Sequence, residues 1–485
     1  MEACALSGRK PIKQWIYEKR MPILYVVLAI AFLAMAYVHI KAVMVAKTMI
    51  PIMDYWKWIA VYGQKVLDGT VTFADWFRSD AGLHIHPLSL MLTFFVLKIF
   101  HFDVVPLVII GMIVRVFTAG VMMALFVLHF RKEEKNNPIA LGLCAAVIGF
   151  SVLNLNQWEA TTQPFSMAFI FRIALFYLSF YLTEKFVSRI EERDAKGNVL
   201  WAAFLGLYCG LLTVFASSAY FVGHLVAIGL AILWCAWCRR ESFRKFVLPS
   251  LVWGFLSLAG AIVYYVIVSG RGGEVQTGRG LVELLLLLAE GVCCFWGSVF
   301  VHQNVANSFG TATSVIVGVL FLQYVIIITV CYMRKNADGK NVFPLIFVFY
   351  ALITSLAISY GRVNMFGASS MTASRYVVES TVGLLGVAWM SYDVLLKEKK
   401  YTVFRAGGYI FASLALLLLT CAALQENNMA IHRKAYNENL REKMLVIETL
   451  SDEELAPFQA NSPDDVRYCV EFFKENGLSI FREAK

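Results

Sequence analysis

Long apolar runs dominate the chain, and short polar stretches separate them. Eleven runs can cross a bilayer, at about 22–46, 104–130, 138–155, 164–184, 199–217, 219–238, 247–268, 314–333, 342–359, 376–396 and 403–424, a crossing needing about 20 residues. Two other runs, at about 88–100 and 281–300, read as tilted, re-entrant or interfacial segments; counting either alone as a crossing inverts the charge pattern downstream. The pattern predicts an all-α polytopic membrane protein with about eleven transmembrane helices.

The stretch 50–90 breaks this pattern. It reads IPIMDYWKWIAVYGQKVLDGTVTFADWFRSDAGLHIHPLSL. From about Met53 to Leu67, Trp58, Ile59, Tyr62 and Val66 share one helical face. Lys57, Gln64, Lys65 and Asp68 share the other. Gly69 suits a left-handed cap, and Thr72 with Asp75 makes a capping box for a second short helix. Tryptophan-rich amphipathic helices lie in the interface plane, so interfacial helices are expected in this loop. The tail, 425–485, carries a second capping box at Ser451 and Glu454. Ser462, Pro463 and two acids then open a helix with Val466, Cys469, Val470 and Phe473 at helical spacing, and Gly477 stops it. A small helical tail is expected.

Charge sets the expected orientation. Residues 1–21 form a basic arm with Arg9, Lys10, Lys13, Lys19 and Arg20. Alternate loops repeat the bias, with Arg131 and Lys132, Lys185 to Lys196, Arg239 to Lys245, Arg334 to Lys340, and Lys397 to Arg405. The later loops between them hold only Arg271, Arg279, Arg362 and Arg375. The positive-inside rule puts the N-terminus in the cytoplasm and the 50–90 loop and tail outside. The expected organisation is a 1–21 cytoplasmic arm, a 22–424 transmembrane domain and a 425–485 extracytoplasmic tail. The first run lacks a small-residue cleavage site and reads as a retained anchor.

Composition agrees. The chain is 59% hydrophobic and 16% charged, where soluble domains are about 25% charged. The net charge of +9 therefore reports topology, and no nucleic-acid partner is expected. Ten cysteines are scattered, mostly in apolar runs, and suit packing. Cys235 and Cys238 have no second pair, so no metal is expected from them. No glycine-rich loop follows a strand, which argues against nucleotide binding.

If the topology holds, polar groups converge on one outer surface. Asp54 is a helix N-cap, a general base, or both. Glu159, in NLNQWEATTQP, is a solvated loop acid or a second site carboxylate, with Gln163 four residues on. His84 and His86 lack a third ligand at metal spacing, so they read as solvated interfacial groups or as substrate or phosphate contacts ahead of metal ligands. Arg375 anchors a helix at the headgroup layer or holds a phosphate. Arg362 and Tyr376 lie in the same loop, SYGRVNMFGASSMTASRY. Arg115 sits about mid-span and needs a partner, while Arg172 is near enough to a span end to snorkel.

Several features together resemble the GT-C superfamily of polytopic glycosyltransferases, which includes protein O-mannosyltransferases, aminoarabinose transferases and oligosaccharyltransferases. They are Asp54 soon after the first span, a long first loop, and His86-Pro87-Leu88 opening a short apolar segment. The next span with Arg115 is also similar, while Ser374-Arg375-Tyr376 and the small helical tail are similar to a group of bacterial membrane proteins of the same general build. The likeness covers the first 130 residues best and the SRY region next. The family's frequent acid pair is absent, since Asp54 is followed by Tyr55 and Trp56. The resemblance implies a polyprenyl-phosphate sugar donor and a glycan, lipid or protein acceptor outside a bacterial cytoplasmic membrane, with a eukaryotic endomembrane as the alternative. With such a donor, the residues read above give Asp54 and Glu159 as the expected catalytic carboxylates, and His84, His86, Gln163, Arg362, Arg375 and Tyr376 as the expected substrate contacts. No cofactor is expected, with a divalent metal left open. A transporter or flippase of a lipid-linked precursor competes with this reading, and a non-catalytic envelope partner is a third.

Overall fold

The computed structural model describes residues 12–78, 85–131, 137–269, 280–397 and 402–484. Among them there is no strand. The helices are α1 (Ile12–Ala46), α2 (Asp54–Asp68), α3 (Pro87–Ile99), α4 (Val105–Phe130), α5 (Pro138–Val152) and α6 (Glu159–Thr162). Then come α7 (Ser166–Ser188), α8 (Ala195–Phe215), α9 (Phe221–Cys238), α10 (Phe243–Val268), α11 (Leu281–Gly297) and α12 (Gln303–Phe309). The last are α13 (Ala312–Lys335), α14 (Phe343–Phe366), α15 (Val377–Ser391), α16 (Thr402–Leu445), α17 (Asp452–Leu455) and α18 (Pro463–Asn476).

Ten helical segments of the described residues are long and apolar enough to cross a membrane, which makes this an all-α multi-pass membrane protein. The eleventh expected segment differs. It is α15, 15 residues long, continued by a π-helical turn at Tyr392–Leu396. Every residue of α15 is buried, so it forms a central stave inside the bundle. The 88–100 run is the 13-residue α3, too short to cross. The 281–300 run is α11, exposed at Leu281 and Val282 and buried from Cys294 to Trp296. It crosses α13 with backbone in contact: a Cβ on Gly318 would stand 1.8 Å from the Cys293 carbonyl oxygen. Small residues permit such approach where lipid offers no hydrophobic drive between helices.

The tail is not a separate appendage. α16 spans 44 residues without a break, so the expected boundary at 424/425 falls inside one helix. At 1.5 Å per residue that is about 66 Å, roughly twice the hydrocarbon thickness. Its far half joins α2, α3, α18 and the start of α4 around a second apolar core. Trp56 meets Phe458 edge-on at 5.5 Å, and Phe102 meets Phe472 at 5.5 Å. Cys469 Sγ donates to the Trp56 carbonyl at 3.1 Å, and Ser479 N–H donates to the His101 carbonyl at 2.8 Å. First loop and tail thus make one cap over one end of the bundle. Local signals place its helices. Gly69 ends α2 at φ 73°, and Gly477 ends α18 at φ 63°. The Asp75 carboxylate accepts from Thr72 N–H and Oγ1, both at 2.8 Å, and the helix opened there is a five-residue 3-10 turn, Phe73–Phe77.

The other end is stitched by its own polar groups. Glu184 Oε2 accepts the Val342 and Phe343 N–H groups at 2.7 and 3.0 Å. Arg239 donates to the Val187, Asp338 and Gly339 carbonyls at 2.8–2.9 Å.

Candidate functional site

The site end is built on a break in the bundle. α5 stops at Val152 and α7 starts at Ser166; between them lie only a 3-10 turn at Leu155–Gln157 and the single turn α6, and Pro164 keeps α6 from running on into α7. The intervening 153–165 segment is polar yet buried: Asn154, Asn156, Gln157, Thr161 and Gln163 are all at most 6% exposed. Irregular backbone survives at membrane depth only where protein satisfies it. Asn156 Nδ2 donates to the Ser298 and Val301 carbonyls at 2.5 and 3.2 Å, and Asn154 Nδ2 to the Val299 carbonyl at 3.2 Å. These carbonyls belong to the turn between α11 and α12, so the two breaks satisfy each other. The partner Arg115 needs is here. Its guanidinium donates to Gln157 Oε1 at 2.7 Å and to the Val152 and Ala160 carbonyls at 3.4 and 3.3 Å.

Glu159 opens α6 inside this break. Its Oε2 accepts from Ser374 Oγ at 2.9 Å and from Arg375 N–H at 3.0 Å. Ser374 Oγ in turn accepts the Glu159 N–H at 3.1 Å. Arg375 Nη1 reaches Glu159 Oε1 at 3.4 Å, with the arginine side chain 36% exposed and the glutamate 11%. The 3-10 turn Ser374–Tyr376 is thereby fixed against α6.

Arg375 and Tyr376 face a cavity of about 340 Å³. Arg362 and Phe366 of α14, Gln303 and Asn307 of α12, and Ser369, Ser370, Thr372 and Ala373 complete its wall. No acid is among these lining residues. The Ser370 and Thr372 hydroxyls donate to the Gly367 and Ser369 carbonyls at 2.7 and 2.8 Å. The donors not engaged there are the Arg362 guanidinium, the two amide nitrogens and the Ser369 and Tyr376 hydroxyls, while the Arg375 guanidinium is held only by its 3.4 Å contact with Glu159. Gln303 has a fixed orientation: its Oε1 accepts from the Trp158 indole N–H at 3.3 Å, which leaves the amide N–H₂ for the cavity. Trp158 is itself covered by Arg433 at 3.6 Å. Arg433 Nε donates to Glu426 Oε1 at 2.7 Å, and Glu426 Oε2 accepts from His302 Nε2 at 2.5 Å. The wall therefore connects to the far half of α16.

The expected residues fare differently. Arg362, Arg375 and Tyr376 share the cavity, and Glu159 stands behind Arg375. Asp54 does not line it. Met53, at φ 56°, occupies the N-cap position of α2, so Asp54 is the first helical residue and not the cap. Its Oδ1 accepts from Asn461 of the tail at 3.1 Å. Gln163 is buried at the end of α6 with its Oε1 unbonded, outside the cavity wall. His86 precedes Pro87 at the start of α3, beside Ile85, which packs against Tyr264 and Val268 of α10. His84 lies outside the described residues. Arg172 does not snorkel. Its side chain is 0% exposed and paired with Glu379, which also accepts from Tyr350. Sequence reasoning passed over Glu379 and Asn307. The usable signal for Glu379 was an acid four residues past Arg375 inside an apolar run. Among the described residues, no group of three or more His, Cys, Asp or Glu is placed to hold a metal ion.

Fold and site thus define a helical multi-pass membrane protein with an arginine-lined cavity at one end. No protein-family model and no curated protein matches the chain.

Proposed function

We propose that this protein is a membrane glycosyltransferase that takes a sugar from a polyprenyl-phosphate donor and passes it to a cell-envelope glycan, lipid or protein. The observation that carries this reading is the cavity, where Arg362 and Arg375 share one wall with no acid lining it. A leaving phosphate needs positive charge placed before the reaction, and guanidinium forks suit its oxygens. Phe366, 58% exposed at the same wall, gives the cavity an apolar edge for a prenyl chain. In this reading Arg362, Arg375 and Tyr376 hold the phosphate end. Asp54, on the cap, remains the acid assigned to accept a proton from the acceptor. The basic loops at the other end support a cap outside the cytoplasm, and the resemblance supports a bacterial inner membrane.

The second reading is a transporter of a lipid-linked precursor. Two broken segments meeting inside the bundle favour it, because discontinuous helices mark transporter sites. Proteoliposomes loaded with labelled polyprenyl-phosphate sugars decide. The transferase reading expects sugar lost from the lipid, with loss abolished by Arg375→Ala and Arg362→Ala. Lipid crossing the bilayer uncleaved selects the transporter. Full transfer by Arg375→Ala removes the cavity from the mechanism, and full transfer by Asp54→Asn removes the base.

A further inference from the structure

The cavity's positive charge is opposed by a carboxylate that does not depend on the arginine it opposes. Glu159 Oε2 is anchored by the Ser374 hydroxyl and the Arg375 backbone N–H, at 2.9 and 3.0 Å. Only the other oxygen meets the Arg375 guanidinium, at a longer 3.4 Å. The guanidinium can therefore leave Glu159 while the carboxylate stays where it is. Arg362, across the wall, has no carboxylate partner among the described residues and lies 5.7 Å from the Phe366 ring centre. Counted together, two arginines and Glu159 leave one net positive charge at the cavity.

We infer that Glu159 is a positioning residue that parks Arg375 and competes with the lipid phosphate for it, so that the spent polyprenyl phosphate is released. This rests on the reading of the cavity as a lipid-phosphate site. It assigns Glu159 no contact with the reacting atoms. A parked guanidinium is held ready at the wall and turns from carboxylate to phosphate when the donor enters. After transfer, the fixed carboxylate draws it back. Removing that charge strengthens phosphate binding and slows turnover, whereas a merely structural Glu159 would weaken binding when replaced.

The test uses full-length protein in nanodiscs, with farnesyl phosphate as probe and farnesol as its uncharged control. Glu159→Gln keeps an oxygen for Ser374 and removes the charge. It is expected to bind farnesyl phosphate about tenfold tighter with a steeper salt dependence, the scale of one contact to a charged group. Glu159→Asp, which keeps the charge, is expected within about twofold of the natural chain. Equal or weaker binding by Glu159→Gln overturns the inference and leaves the lipid-phosphate reading intact. A natural chain that binds farnesyl phosphate no better than farnesol overturns both. If Glu159→Gln does not fold, Glu159→Ala removes the same charge: tighter farnesyl phosphate binding is again expected, and equal or weaker binding overturns the inference.

Discussion

The cap and the broken seam beneath it are both buried, yet they are held by different forces. The cap core is apolar and aromatic, with Trp56, Phe94, Phe102, Phe458, Phe472 and Phe473 at its centre. The seam is amides, hydroxyls and ions: Asn154, Asn156, Gln157, Glu159, Arg115, Arg172 and Glu379. Loss of contact in the cap costs transfer energy and a cavity, in proportion to volume. Loss of one partner in the seam strands a polar group in a low-dielectric interior, where the penalty is set by charge and not by size. The cap should therefore fail locally and gradually, and the seam globally and abruptly.

The buried Arg172–Glu379 pair breaks the comparison open most forcefully. Arg172→Ala leaves Glu379 at 0% exposure beside Tyr350, with no cation. The expected loss is about 4 kcal/mol, enough to abolish a monodisperse peak in size-exclusion chromatography. Replacing both, as Arg172→Met with Glu379→Leu, should restore a folded bundle, because apolar replacement removes the stranded charge with its partner. Failure of the double variant would show that the pair is needed for more than mutual neutralisation.

Phe473→Ala comes next, at about 3 kcal/mol, and confined to the cap. Limited proteolysis should then release fragments from the 446–484 region while the bundle remains intact. A variant that also loses the bundle would show that the two cores fold as one unit. Asn156→Leu follows, at about 2 kcal/mol, because the Ser298 and Val301 carbonyls lose their donor. Its effect should appear as faster hydrogen exchange across the bundle helices together with the α11–α12 turn, and an effect confined to that turn would count against a globally failing seam.

The same contrast explains what could be read from sequence. The cap's helices were legible because their signals are local. Gly69, Gly477, Ser451 with Glu454, and the Val466–Phe473 spacing each act within one or two turns. That α2 and α18 share a core was not legible, since either apolar face could have rested on lipid. α16 hid the join: its pattern changes from apolar to amphipathic near residue 424, while the helix itself continues. At the site, Arg362, Arg375 and Tyr376 were legible as a loop cluster, and the structure puts them in one cavity. The bonds that fix them were not. Glu159 and Ser374 are 215 residues apart, and Asn156 and Ser298 are 142 apart. No periodicity reports such a pairing. Asp54 read as a cap residue because acids favour that place, but the turn at Met53 delivers it one position later.

The smallest expected effect lies on the cap and tests whether it has any electrostatic hold at all. Asp75 is 2% exposed and pairs with Lys65 Nζ at 2.8 Å. That hydrogen bond, opposed by burial and aided by Thr72, draws its carboxyl down from 3.8 to about 2. A carboxyl depressed on folding adds stability that is complete above the unfolded value near pH 4 and fades as pH falls toward 2. With Lys65 42% exposed, screening leaves about 1 kcal/mol of this. Hydrogen exchange across 70–78 should therefore quicken between pH 4 and pH 2, after correction for intrinsic rates. Asp75→Asn should exchange faster at pH 7 and lose that acid dependence. The contacts of Phe473 carry no proton, and the ion pairs of α18, Arg467–Asp452 and Lys474–Glu448, have carboxylates 72% and 70% exposed, so exchange in α18 should change less than at 70–78 over the same window. If α18 loosens with the 70–78 turn, the cap's two halves are coupled through Lys65 and α2, and the division between a graded apolar cap and a charge-dependent seam is too sharp.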